Sequence, residues 1–141
     1  MSKEENKKLF EKAIQLFENK IGNEYQYILR RLNDLSSDDC LDDYMYDTCN
    51  KFKLNMDSMN DYKNFVDNNY ELYSQISPAL FIRDNGTVSL QKTYKDAFIY
   101  IVFNDNHKVD FIIDRDNDDK FAKNVDMNYM VDKLKEYVDN S

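Results

Sequence analysis

The hydrophobic periodicity of this chain changes character at Pro78, its only proline. Before that residue, apolar positions recur at three- and four-residue intervals, which gathers them on one side of a helix. After it they alternate or run together, as they do in strands. The expected order is α-α-α-β-β-β-β-α: an α+β fold with three N-terminal helices, a four-stranded antiparallel β-meander and a C-terminal helix. At 141 residues the chain is long enough to bury a core without disulfides or metals. The natural division is one domain over residues 1–141, with a helical half at 1–76 and the meander plus last helix at 77–141.

The first helix is expected to start at a Ser2/Glu5 capping box and run through Phe10, Ala13, Ile14, Phe17, Ile21, Tyr25, Ile28, Leu29 and Leu32. Gly22 lies inside that stripe and marks a kink or a close helix contact. A second helix, after Ser36 or Ser37, would bury Leu41, Tyr44, Met45, Thr48 and Phe52. A third, opened by Asp57-Ser58, would bury Tyr62, Phe65, Val66, Tyr73 and Ile76. Asp84-Asn85-Gly86 between two apolar runs predicts a hairpin, because its turn needs a positive φ that glycine adopts freely. Residues 97–103 are apolar on both faces, the pattern of a central strand covered on both sides. Val109, Phe111 and Ile113 alternate with Asp110, Ile112 and Asp114, so the next strand should be partly exposed. A last helix from about Asp126 carries Met127, Met130, Val131, Leu134, Tyr137 and Val138.

Composition excludes several chemistries. Two glycines cannot build a phosphate-cradling loop or a dinucleotide fingerprint, and one histidine cannot build a His-rich zinc site. Abundant Asn, Lys, Ile and Tyr with few Gly, Pro and Arg is the signature of AT-rich coding DNA. Cys40 and Cys49, if on one helix, fall on opposite faces and cannot pair. The charged start, the unpaired thiols and a longest apolar run of seven residues, Ala97 to Phe103, point to the cytoplasm and away from a membrane.

The formal charge is −8, and it is concentrated. Residues 34–75 hold ten acids against three bases, a balance of −7, whereas residues 1–33 come to +2. Asp38, Asp39, Asp42, Asp43 and Asp47 fall opposite the apolar side of the second expected helix. Asp57, Asp61, Asp67 and Glu71 fall opposite that of the third. Rows of carboxylates roughly 6 Å apart can imitate a phosphate backbone; equally, they suit the solvated faces of amphipathic helices. Tyr46 and Tyr70, at the edges of the inner stripes, would add contact area beside those acids. The expected partner is a protein with a basic, nucleic-acid-binding surface, with neither nucleic acid itself nor a membrane as target.

Two other candidates are weaker. Asp114, Asp116 and Asp118 have the spacing that opens a calcium loop, but Asp119 stands where the loop needs glycine and Val125 where it needs a bidentate glutamate. That segment reads better as a polar loop between strand and helix. His107 sits in an expected hairpin turn, where a histidine is usually exposed and idle. No nucleophile elbow or activated thiol is present, so neither catalysis nor a cofactor is expected.

In size and acidity the chain resembles the small acidic inhibitors of phages and other mobile elements, namely anti-restriction and anti-CRISPR proteins, and also bacterial immunity proteins. The resemblance is one of profile and carries no site residues. It implies a non-enzymatic inhibitor of a host defence protein or, alternatively, an immunity or antitoxin protein neutralising a toxin. A weak Ca²⁺-binding module is the further alternative.

Overall fold

The computed structural model describes residues 3–36, 53–116 and 118–140. These residues form, in order, α1 (Lys3–Gln15), α2 (Asn23–Ser36), α3 (Met56–Asn68), α4 (Tyr70–Ile76), β1 (Ala79–Ile82), β2 (Val88–Tyr94), β3 (Ala97–Phe103), β4 (Val109–Arg115), β5 (Asp118–Val125) and α5 (Met127–Asp139). The class is α+β, as expected, but the details differ. The sheet is an antiparallel meander of five strands in the order β1-β2-β3-β4-β5, not four. The helix expected around Leu41–Phe52 lies outside the described residues, and so do Cys40 and Cys49.

The single long helix expected at the start is two helices. After Gln15, Leu16 and Phe17 donate to the carbonyls three residues back, and Lys20 donates to Phe17, the tighter winding of a helix that is ending. Gly22 then takes φ +145°, a conformation that side-chain-bearing residues rarely adopt. A Cβ at this position would stand 2.1 Å from the Tyr70 hydroxyl, so the glycine serves both the reversal and a close approach. Ile21, placed in the inner stripe by its spacing, is 95% exposed as a result.

The third expected helix is also divided. Asn55, not Asp57 or Ser58, caps α3: its side chain accepts from the Ser58 N–H. The break between α3 and α4 falls at Asn69, whose backbone and side chain both donate to the Phe65 carbonyl. The α4 helix stops at Ser77, which is left-handed and donates to Tyr73, and Pro78 then prevents any continuation.

Ser58 is buried because it joins α3 to the sheet. Its hydroxyl donates to the Phe103 carbonyl at 2.5 Å and accepts from the Val88 N–H at 2.8 Å. The hairpin at Asp84-Asn85-Gly86 forms as expected, with Gly86 at φ +86°. It has a second role that spacing could not show. The Gly86 carbonyl accepts from the Asn55 N–H, and a Cβ on Gly86 would meet the Lys53 carbonyl at 1.9 Å. The turn is thus the seat on which the chain enters α3.

Register fixes which strand residues share a face. Val88, Leu90, Ile99, Ile101, Phe103, Val109, Phe111 and Ile113 point to one side. They form a single buried cluster with Phe10, Phe17, Ile28, Leu32, Tyr62, Phe65, Tyr73, Met130 and Leu134 of the helices. Phe98, Tyr100 and Ile112 point the other way and do not belong to that cluster. The expectation that β3 is covered on both sides is therefore corrected: Phe98 is 40% exposed.

Strand β5 was expected to be loop. Its sequence, Asp118 to Val125, shows no clean alternation and is mostly exposed. It is an edge strand, and its order comes from pairing with β4 rather than from burial. A bulge between Val109 and Phe111, with Asn124 left-handed at φ 59°, interrupts its pairing near the end of the strand. None of the described helices is long and apolar enough to cross a membrane.

Candidate functional site

Five of the acids expected to bind a partner, Asp38, Asp39, Asp42, Asp43 and Asp47, together with Tyr46, lie outside the described residues. The other four acids have two kinds of environment. Asp57 and Glu71 are exposed to solvent. Asp61 and Asp67 are only 14% and 18% exposed at the side chain, and both are engaged within the chain.

Asp67 accepts hydrogen bonds from Lys63 and from the Tyr25 hydroxyl, each at 2.6 Å, and lies 3.5 Å from Lys20. Partial burial opposes its ionised form. The bonds from Lys63 and Tyr25 outweigh that burial and hold the carboxyl below the ordinary 3.8. The same arrangement raises the Tyr25 hydroxyl, through burial first and the Asp67 bond second. This carboxylate ties the α1–α2 connection and α2 to α3, so the row drawn from sequence is not one continuous free surface.

Asp61 faces His107 across the β3–β4 turn, with the ring Nδ1 3.1–3.2 Å from both carboxylate oxygens. His107 is exposed, as expected, but not idle. Its pKa is raised above 6.5 by the hydrogen bond and charge of Asp61, with a smaller contribution from Asp57. Tyr70 is half-buried, stacked on Tyr25 at 5.0 Å, and its hydroxyl accepts from the Glu24 N–H. Tyr70 and Glu71 do come together, along an open cleft of about 430 Å³ that Asn68, Asn69, Gln75, Lys135 and Asp139 also line.

The polar loop expected from Asp114 onward is instead the hairpin between β4 and β5, which also carries the weak calcium candidates Asp114, Asp116 and Asp118. Arg115 and Asp118 are register partners on one face, whereas Asp114 pairs with Asp119 on the other. Successive strand residues point to opposite sides, so Asp114 and Asp118 start from opposite faces of the hairpin. Among the described residues no group of three or more His, Cys, Asp or Glu is arranged to hold a metal.

Spacing alone did not reveal the outer face of the sheet. Tyr100, Ile112 and Phe121 are successive register partners across β3, β4 and β5. With strands 4.7–4.9 Å apart, they form an apolar bar roughly 10 Å long. Phe98 stacks on Tyr100 at 6.5 Å and 10°. Phe121 is 71% exposed. Asp110 and Asp114 stand two residues to either side of Ile112, roughly 7 Å away along the strand, and Asp119 stands opposite Asp114. Asp110 accepts from the Asn104 side chain and the Asn124 N–H. The Asp119 carboxyl is raised above 3.8, first by its hydrogen bond with Asp114 and then by partial desolvation and charge repulsion. Ser89 and Val102, on the same side, are buried, so the exposed part of this face extends toward β5. The available signal was Ile112 between two aspartates, beside a strand apolar on both sides.

No family model, curated protein or solved structure matches the chain.

Proposed function

We propose that the protein is a non-enzymatic, acidic interaction protein that occupies a basic, nucleic-acid-binding surface of another protein and so inhibits it. In size and acidity its profile resembles that of phage-borne anti-restriction and anti-CRISPR inhibitors. The observation that carries the reading is the one-sided charge of residues 34–75, ten acids to three bases. A surface selected only for solubility mixes its signs. Asp57 and Glu71, exposed on α3 and α4, are free to contribute; Asp61 and Asp67 support the fold that presents them.

Such a carboxylate surface competes with a phosphate backbone for the same cations, and the interaction weakens steeply as salt rises. The test is competition. A panel of basic nucleic-acid-binding enzymes is loaded with labelled DNA or RNA, and the chain is titrated in at low and at physiological salt. Displacement that weakens with salt, and that is lost on reversing Asp42, Asp43 and Asp47 to Lys, is the expected result. Undiminished displacement by that triple variant sinks the reading.

A further inference from the structure

Four of the six large apolar side chains exposed among the described residues, Phe81, Phe98, Ile112 and Phe121, share the face of the sheet opposite the core. Scattered exposed apolar residues need no explanation, but a contiguous patch with a polar rim marks a binding surface. Phe81 lies apart from the others, under the Arg31 guanidinium at 5.1 Å. The remaining three join Tyr100 in a single patch.

The rim is mainly acidic, with Lys123, two residues beyond Phe121 on β5, as a basic exception. Asp110 and Asp114 flank the bar within β4, and Asp119 flanks it in β5. Asp114 and Asp119 stand directly opposite one another, an arrangement that destabilises a sheet. A lysine or arginine placed between them would remove the repulsion and gain two charge-assisted hydrogen bonds. A second copy of this chain, itself at −8, is poorly suited to such a rim.

We propose that the outer face of β3–β5 docks a basic amphipathic segment of a partner protein. Its apolar side chains lie on Tyr100, Ile112 and Phe121, and its Lys or Arg side chains reach Asp110 on one side and Asp114 and Asp119 on the other. This surface stands on residues other than the helical acids, on the opposite side of the sheet from the core helices, so it can hold or fail independently of them.

The probe is a labelled peptide of alternating Leu and Lys, with oligolysine and alternating Leu-Glu peptides as controls. Affinity is read by fluorescence anisotropy and location by backbone amide shifts. The Leu-Lys peptide is expected to perturb Phe98, Tyr100, Ile112 and Phe121, and to bind at least about tenfold more tightly than oligolysine. The I112T/F121S variant should lose at least about tenfold in affinity with its urea midpoint unchanged. The D114N/D119N variant should bind more weakly while unfolding at a higher temperature, a combination that a purely structural role would not produce. Shifts confined to α3 and α4, equal binding of oligolysine, unchanged binding by I112T/F121S, or unfolding of that variant would each overturn the proposal. So would a dimer of the wild-type chain that I112T/F121S disrupts.

Discussion

The two faces of the sheet are made by the same strands, yet they follow different rules. On the inner face, Leu90, Ile99, Ile101, Phe103, Phe111 and Ile113 are nearly or fully buried against the helices. On the outer face, aromatic and aliphatic side chains stand in solvent beside Asp110, Asp114 and Asp119. Strand propensity does not separate the two, because both faces carry residues that favour strands. Burial does. The inner face holds the fold together by removing apolar area from water, while the outer face around Phe98, Ile112 and Phe121 keeps apolar area exposed and tolerates two aspartates in direct opposition.

The largest expected effect tests that contrast directly. Phe103→Ala, on the inner face, should cost about 3–5 kcal/mol in urea unfolding. Phe98→Ser, five residues earlier on the same strand but facing out, should stay within about 0.5 kcal/mol. Equal losses would show that the faces are not different.

A smaller effect separates the helical acids. Asp67→Ala removes the acceptor of the Lys63 and Tyr25 bonds and should cost about 1–3 kcal/mol, whereas Asp57→Ala should leave the urea midpoint unchanged. Because the Asp67 pKa is lowered in the folded state, its contribution is present above the unfolded value of 3.8 and is lost as pH falls through the lower folded value. The gap between wild type and Asp67→Ala should therefore close in acid.

The outer face has the opposite sign. The Asp119 carboxyl is raised beside Asp114, so the pair weakens the fold at neutral pH and the penalty disappears as pH falls through the raised value. Asp114→Asn should melt slightly above wild type at pH 7 and level with it in acid, as thermal scans at the two pH values would show.

The smallest effect is at His107. Its raised pKa places a contribution to stability below 6.5 that is lost as pH rises through the folded value. In Asp61→Asn the imidazole titration, followed by NMR, should move back toward 6.5.

What the sequence revealed follows from the same contrast. Strands β1 to β4, the Asn85-Gly86 hairpin and α5 were legible because inner-face burial imposes a period. Strand β5 was not, since an edge strand bathed on both sides keeps no such period and is defined by its bonds to β4. The breaks at Gly22 and Asn69 were hidden because apolar spacing continues across them; only the contact of Gly22 with Tyr70 and the Asn69 bonds to Phe65 reveal them. For the candidate site, sequence located the acids but not their neighbours. Asp61 meets His107 from 46 positions away, and Tyr25 meets Asp67 from 42, separations that helical spacing does not encode. The outer bar depends on the register of three strands, and one of them, β5, carries no strand period in its sequence.

The central claim is that one face of the sheet holds the fold and the other is available to a partner. The most direct measurement places both properties on one sample: urea unfolding and Leu-Lys peptide titration of the I112T/F121S variant. The account predicts an unchanged urea midpoint together with loss of peptide binding. A midpoint lowered as far as that of Phe103→Ala, or binding equal to wild type, would contradict it.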